Sequence, residues 1–247
     1  MTLKDRLDAA FIIVAQPRSG STLLAAALHA HPHLTCHDEL FSPGWVHGYR
    51  PKPEADPVDP EQLLVERDSD PERFLVERVL DRAGTSAQVG FKAVYSDILS
   101  RKPLALFLQE LVFTNRIRVV HLRRLNMLRC FISVERMRLL GIAHSHNSEA
   151  RDSALPLDET EFLRFVLEQD GNADTVNRAM NVVAQPRYEH LPQGYNMSLD
   201  GLGAVRRPFQ ANLGRMSSHS LGASIAEPEG WVKWDFPRPA GFVKYTD

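Results

Sequence analysis

The stretch FIIVAQPRSGSTLLAAALHA, residues 11–30, decides the fold of this chain. Its first five residues are apolar and mostly β-branched or aromatic, as expected of a strand that is buried on both faces of a parallel sheet. An Ala/Leu run from Leu23 to Ala30 has strong helix propensity, and Pro32 ends it. A short polar loop with one glycine joins the strand to the helix. This order predicts the first unit of a nucleotide-binding α/β fold.

The rest of the chain continues the alternation of strands and helices. Strands are predicted over residues 88–95 and 117–122, and helices over 70–84, 103–113, 125–140 and 158–168. Such alternation predicts a three-layer α/β domain with a mainly parallel sheet and helices on both faces.

A single domain over residues 1–247 is expected, because this length supports one α/β core without a second domain. Residues 42–60 are rich in proline and are interpreted as a flap loop within that domain. Residues 193–247 are rich in Gly, Pro and Ser, and no helix or strand is predicted there. We interpret them as an irregular C-terminal lid segment.

Composition excludes several classes of function. The formal charge of −2 disfavours a protein built to bind nucleic acid, which would carry a basic excess. The apolar run at residues 11–15 is too short for a signal peptide or an integral membrane segment, so a cytoplasmic protein is expected. Cys36 and Cys130 lie far apart, which predicts neither a disulfide framework nor a metal site.

The loop that follows the first strand is a candidate anion site. Free backbone N–H groups and the helix dipole favour phosphate at such a helix start. Gly20 permits close approach of the backbone, Ser19, Ser21 and Thr22 add hydroxyl donors, and Arg18 adds a fork-shaped cation. The loop has neither the GxxxxGK[ST] pattern of an ordinary NTPase nor the GxGxxG pattern of a dinucleotide-binding fold.

The string QPRSGSTLL, residues 16–24, resembles the 5'-phosphosulfate-binding loop of sulfotransferases that use 3'-phosphoadenosine-5'-phosphosulfate (PAPS). It is most similar to that of the bacterial carbohydrate and lipid branch. The resemblance implies a P-loop-like fold, PAPS as the sulfuryl donor and a set of donor-binding residues in this loop, which are Arg18, Ser19, Gly20, Ser21, Thr22 and Leu23. The alternative is a plain strand-to-helix turn with capping hydroxyls.

A second anion site is expected where strand 117–122 ends in Arg123 and Arg124. In the resembling family, an arginine at this strand end and a serine in the next helix hold the 3'-phosphate of PAPS. Arg124 and Ser133, nine residues apart, fit those roles. Arg123 is the reserve candidate, since strand alternation lets only one of the two face the site. The alternative is a solvated basic helix start.

The segment Cys36-His37-Asp38-Glu39-Leu40-Phe41 is expected on the acceptor side of the site. The resembling branch has a catalytic base, a glutamate, in a similar segment, and it corresponds to Glu39. His37 and Asp38 are alternatives; a histidine has the better unperturbed pKa for base catalysis near neutrality.

Lys92 lies on the predicted strand 88–95, where a buried lysine needs an anion. It resembles a family lysine that could neutralise the 5'-phosphate or the bridging oxygen. The alternative is a lysine that extends from an edge strand into solvent. Phe41, Trp45 and Tyr49 are candidate lining residues of the acceptor pocket.

Together these features predict a sulfotransferase that moves a sulfuryl group from PAPS to a hydroxyl of a small-molecule, carbohydrate or lipid acceptor. In-line transfer with a carboxylate base is expected, as in phosphoryl transfer. Two alternatives are a catalytically degenerate binding protein of the same fold and a nucleotide-dependent kinase. The missing Walker lysine counts against the kinase, and Asp97 is its only loose candidate for a Mg²⁺ ligand. Residues 188–191 resemble the Tyr-Glu-Asp-Leu strand of the family, with His190 in place of aspartate.

Overall fold

A five-stranded parallel sheet is the centre of the computed structural model, which describes residues 3–51, 59–81, 86–114, 116–140 and 157–209. The strands are β1 (Ala10–Ala15), β2 (Leu34–Cys36), β3 (Gln88–Val94), β4 (Arg118–Leu122) and β5 (Val182–Ala184). Their order across the sheet is β2-β3-β1-β4-β5, and all pairs are parallel.

Helices cover both faces of this sheet. Their bounds are α1 (Leu3–Asp8), α2 (Ser21–His29), α3 (Pro60–Ser69), α4 (Pro71–Phe74, continued by a π-helical turn Leu75–Leu80), α5 (Tyr95–Leu99), α6 (Pro103–Phe113), α7 (Met127–Leu140), α8 (Glu159–Ala179) and α9 (Leu191–Leu202), with a 3₁₀ turn at Tyr188–His190. None of the helices in the described ranges is long and apolar enough to cross a membrane.

The two faces of β1 explain the layers. All six residues of β1 are buried. Ile12 and Val14 pack into one cluster with α1, α3, α4, α6 and α8, whereas Phe11 and Ile13 pack into another with α2 and α9. The predicted P-loop-like α/β fold, with helices on both faces of a parallel sheet, is therefore confirmed.

Polar side chains set where several helices begin. The carboxylates of Asp59, Asp70 and Asp158 each accept a backbone N–H bond from the first turn of the helix that follows, at 2.9–3.0 Å. The cap at Asp158 was expected, but α8 runs on to Ala179, well beyond the predicted end at residue 168.

The structure contains elements that the sequence did not predict, namely α1, β2, α3, α5, β5 and α9. The strands β2 and β5 have three residues each and lie at the sheet edges, so they carry little periodic signal. Helix α9 lies in the segment that was interpreted as irregular, although Leu191, Tyr195 and Leu199 recur at helical spacing and are buried. Residues 210–247 of that segment lie outside the described residues.

The order of the strands creates a crevice. The chain runs from β1 through α2 to the edge strand β2 on one side, and from β4 through α7 and α8 to β5 on the other. Connections that diverge from neighbouring parallel strands leave a cleft at their carboxyl ends, which is where ligands bind in open α/β sheets. Here the cleft lies beyond Ala15 of β1 and Leu122 of β4.

A chain of hydrogen bonds, buried at Tyr95 and His121, ties the sheet to Asn177 of α8. The Asn177 Oδ1 atom accepts from His121 Nδ1 at 2.8 Å, so His121 Nε2 is left to accept from the Tyr95 hydroxyl at 2.7 Å. Burial lowers the pKa of His121 to about 4, against the hydrogen bond to Asn177, which raises it. The ring is therefore neutral in the folded protein near neutral pH.

The neutral His121 predicts acid-sensitive stability. Between about pH 6.5 and 4 the unfolded chain binds a proton at His121 that the folded chain does not, so stability falls as pH falls. The loss from this group is about 3 kcal/mol over that window. Urea denaturation at pH 7, 5.5 and 4.5 measures this loss of the free energy of unfolding.

His121→Gln should reduce this pH dependence, and the buried His37, whose pKa is also lowered, contributes to the part that remains. His47→Gln, at an exposed histidine, should leave the pH dependence as in the wild type. Identical pH slopes for the wild type and His121→Gln would contradict the assignment.

Candidate functional site

The loop after β1 turns sharply into helix α2. Arg18 has φ 60° and Gly20 has φ 84°, two left-handed conformations within three residues. Helix α2 begins directly afterwards at Ser21, with the Leu24 N–H bonded to the Gly20 carbonyl at 3.2 Å. The free N–H groups at the start of α2 are thereby brought to the mouth of the cleft.

Gln16 joins this loop to the end of β4. Its side-chain amide donates to the Arg124 carbonyl and accepts from the Arg124 N–H, both at 3.1 Å. The Cys130 thiol on α7 donates to the Pro17 carbonyl at 2.9 Å. Gln16 was not among the predicted site residues; its polar side chain directly after a buried strand was the available signal.

The two predicted anion sites meet at Arg18. The Arg18 Nε atom donates to Ser133 Oγ at 2.8 Å, and Arg124 Nη1 donates to the Arg18 carbonyl at 3.1 Å. Arg123 points elsewhere and pairs with Asp170 of α8 at 2.8 Å. The structure thus brings Arg18, Arg124 and Ser133 together and separates Arg123 from them.

This cluster suits an anion. Neither Arg18 nor Arg124 has an ion-pair partner within the described ranges, whereas Arg123 has Asp170. Burial lowers the pKa of Arg18, and the charge of Arg124 acts in the same direction. The hydroxyl of Ser19 is fully buried without a hydrogen-bond partner among the residues described. Two unneutralised cations and an unsatisfied donor fit the phosphate groups of PAPS.

The segment after β5 closes one side of the cluster. The Arg124 guanidinium lies 4.6 Å from the centre of the Tyr188 ring, a cation–π contact. Glu189 accepts the N–H groups of Leu125 and Asn126, each at 3.0 Å. Residues 188–190 form a 3₁₀ turn, so the strand that the family resemblance implied at residues 188–191 was wrong. Tyr188 and Glu189 were recognised as similar to the family but not as contacts of this site.

Lys92 connects the first turn of α2 to Glu39. Its Nζ atom donates to Thr22 Oγ1 at 2.7 Å and pairs with Glu39 Oε1 at 3.0 Å. Strand β3 lies between β2 and β1, so the alternative of an edge-strand lysine was wrong. The Lys92 side chain is 6% exposed and that of Glu39 is 26% exposed, which leaves Glu39 reachable from solvent.

His37 faces the interior instead. Its ring is fully buried and stacks on Tyr49 at 5.3 Å between ring centres. Its Nδ1 atom accepts the Arg50 N–H at 2.8 Å, and its buried Nε2 atom has no hydrogen-bond partner in the described part of the chain. Burial lowers the pKa of His37 to about 3. Asp38 is also buried and forms an ion pair with Arg50.

Two of the aromatic residues expected in the acceptor pocket belong to the core. Phe41 is buried against Phe74, Phe91 and Phe107. The Tyr49 hydroxyl donates to the Arg78 carbonyl at 2.8 Å, and its ring stacks on His37. Trp45 is 64% exposed and remains a candidate for acceptor contact.

Asp97, the candidate Mg²⁺ ligand of the kinase alternative, contacts Ser42 in the segment that follows Glu39. Its carboxylate accepts the Ser42 hydroxyl at 3.0 Å and the Val94 N–H at 3.2 Å, and burial raises its pKa. In the described residues no group of three His, Cys, Asp or Glu side chains is arranged to hold a metal ion.

Comparisons with known proteins find similarity to sulfotransferases. The model of the sulfotransferase family matches residues 10–170 of the chain. A solved structure, the crystal structure of a sulfotransferase from Alicyclobacillus acidocaldarius, is similar to it with a TM-score of 0.48 and 16% identity, covering 82% of this chain and 84% of that one. No curated protein matches the chain significantly.

Gly20 provides a prediction about the loop. A methyl group added to Gly20 would overlap the Tyr188 ring, whereas one added to Gly44 would meet no atom within 4 Å. Both glycines have nearly the same left-handed φ, 84° and 86°. Gly44→Ala therefore carries only the backbone strain, about 1–3 kcal/mol, and Gly20→Ala adds an overpacking penalty of about 1–3 kcal/mol. Urea denaturation of both variants measures the difference; equal losses of stability would argue against the packing of Tyr188 on this loop.

Proposed function

This chain belongs to the sulfotransferase family, whose model matches well over half of it, and from that premise we propose that it transfers a sulfuryl group from PAPS to an acceptor hydroxyl. The acceptor is proposed to be a small molecule, a carbohydrate or a lipid. The observation that carries the choice of donor is the pair of unneutralised arginines, Arg18 and Arg124, at the cleft between β1 and β4.

PAPS has anionic groups at two ends of one adenylate. The arrangement of the site supports binding of one end by the loop after β1 and of the other end by Arg124 and Ser133. We assign the 5' end to the loop residues 18–23, where the N–H groups of α2 and the buried Ser19 hydroxyl are available. We assign the 3'-phosphate to Arg124 and Ser133. Arg18 is shared by the two proposed sites, because it belongs to the loop and its guanidinium donates to Ser133.

Glu39 is the proposed base. Its partial exposure and its pairing with Lys92 support this role, whereas His37 is buried and has a pKa of about 3. PAPS supplies a labile bond between the sulfuryl sulfur and the 5'-phosphate oxygen. As the acceptor oxygen forms its bond to sulfur and that S–O bond breaks, Glu39 takes the acceptor proton and adenosine 3',5'-bisphosphate leaves.

Lys92 is proposed to stabilise the charge that moves during transfer. Its ammonium lies between Thr22 on the donor loop and Glu39 on the acceptor side. A fixed cation at this position offsets negative charge that builds on the leaving phosphate oxygen. Arg18 and Arg124 act in the same direction from the other side of the loop.

Donor binding gives the first test of the function. Adenosine 3',5'-bisphosphate should raise the melting temperature well above the shift from ADP or Mg-ATP, because it fills both anion sites. An equal or larger shift with Mg-ATP would favour a kinase, and no shift with any nucleotide would favour a degenerate binding protein.

Two neighbouring arginines allow a matched control for that binding. Arg124→Ala should weaken bisphosphate binding about 10–100-fold by calorimetry, which corresponds to the loss of charge-assisted hydrogen bonds. Arg123→Ala removes an arginine that pairs with Asp170 and should change the affinity little. A reversed order of these effects would transfer the 3'-phosphate to Arg123.

The role of Glu39 predicts a separation of binding from turnover. Glu39→Gln should keep bisphosphate affinity close to that of the wild type and reduce sulfuryl transfer by about 10²–10⁴-fold, because the amide cannot take the acceptor proton. Transfer is measured with labelled PAPS and the cell-extract fraction that the wild-type protein sulfates. Unchanged transfer in Glu39→Gln would overturn the assignment of Glu39 as the base.

A further inference from the structure

Arg67 of α3 is fully buried, an unfavourable place for a guanidinium unless its donors are satisfied. Its Nη2 atom pairs with the Asp68 carboxylate at 2.7 Å. The two hydrogens of its Nη1 atom are shared among three backbone carbonyls, those of Leu40 at 2.9 Å, Ser42 at 2.8 Å and Trp45 at 2.6 Å. One buried side chain thus satisfies three carbonyls of a single turn.

That turn directly follows Glu39 and belongs to a tightly bonded segment, residues 38–50, here called the Glu39 loop. The Asp38 N–H bonds the Gly48 carbonyl, and the His47 N–H bonds the Glu39 carbonyl, both at 3.1 Å. Asp38 and Arg50 form an ion pair across the base of the loop. Several hydrogen bonds and one ion pair therefore hold residues 42–50, the first part of the expected flap.

We infer that Arg67 is a positioning residue that fixes the Glu39 loop so that the Glu39 carboxylate lies beside Lys92. The inference deepens the proposed function, since it rests on Glu39 being the base. The Leu40 carbonyl that Arg67 holds is one residue from Glu39, and the carbonyls of Leu40 and Ser42 are bonded in buried positions. Without Arg67 these carbonyls lose their donor, and the turn must rearrange to reach water.

Trp45 strengthens this interpretation. Its carbonyl is bonded by Arg67 while its side chain is 64% exposed. The same interaction that places the proposed base therefore also fixes the backbone beneath the aromatic residue that remains a candidate for acceptor contact. One guanidinium lies close to all three carbonyls. The apolar side chains of Leu40 and Phe41 have no donor that could bond these carbonyls in its place.

The experiment compares Arg67→Met, which removes the donors, with Arg67→Lys, which keeps a cation and three donors. Arg78→Met is the matched control, because it removes another α3 contact, the ion pair with Glu66 at 2.6 Å, and keeps the Arg78 backbone carbonyl that accepts the Tyr49 hydroxyl of the Glu39 loop. Each variant is tested by amide hydrogen exchange and by ¹⁵N NMR of the lysine Nζ groups. The chain has six lysines, so the Lys92 signal is assigned with Lys92→Arg and its dependence on the carboxylate with Glu39→Gln.

In Arg67→Met, exchange in residues 38–48 should rise at least about tenfold, the factor for one lost hydrogen bond to a charged donor. The Lys92 Nζ signal should change as it does in Glu39→Gln, while exchange in residues 16–24 stays as in the wild type. Arg67→Lys should recover part of both effects, and Arg78→Met should show neither.

An unchanged Lys92 signal in both Arg67 variants, with only a lower melting temperature, would overturn the inference and leave Arg67 as a stabilising residue alone. If Arg67→Met does not fold, Arg67→Lys decides between the two outcomes. Neither measurement uses PAPS, so failure of the proposed function, seen as absent bisphosphate binding by the wild type, is distinguished from failure of this inference.

Discussion

Arg18 and Arg124 bring two positive charges together at the carboxyl ends of β1 and β4 with no carboxylate paired to either in the described chain. Like charges at close range in a half-buried site oppose folding, and the molecule holds them with Ser133, the Arg18 carbonyl and the face of Tyr188. The polyanionic donor that we propose would neutralise both charges. The strand order, the left-handed turn at Gly20 and the side chain of Gln16 all serve to bring these groups to one place.

A single side chain joins the proposed acceptor side of the site to the proposed donor side. Lys92 leaves a central strand and reaches Thr22 in one direction and Glu39 in the other. Its aliphatic stem is buried in the sheet, so the ammonium has little freedom to move away. Glu39 lies in the loop that Arg67 and the Asp38–Arg50 pair hold, and Thr22 lies in the first turn of α2, so both partners of Lys92 are on bonded segments. Such preorganisation is the property that electrostatic stabilisation of a transfer reaction requires.

The sequence predicted what is encoded locally. A continuous apolar run identified β1, and the polar loop before an Ala/Leu run predicted the turn from β1 into α2, because strand, turn and helix are neighbours in the chain. The prediction failed where the partner is distant. Arg18 and Ser133 are more than a hundred residues apart, as are Gln16 and Arg124, and no spacing rule joins them. Phe41 and Tyr49 were assigned to a pocket because an aromatic ring suits a core and a ligand site equally, and packing against Phe74 and Phe91 decides for the core in the case of Phe41. Arg67 gave no signal, since a helical arginine resembles a surface charge until the carbonyls that it bonds are known.

The contact between Gly20 and Tyr188 has a consequence for how this family of sequences can vary. The ring occupies the volume that any larger residue at position 20 would need, and it also supports the guanidinium of Arg124. Positions 20 and 188 are therefore sterically dependent on each other, although the connection between them spans most of the domain. A relative with alanine or serine at the position of Gly20 would need a smaller side chain at the position of Tyr188. Its counterpart of Arg124 would then lack the aromatic ring that Arg124 contacts here.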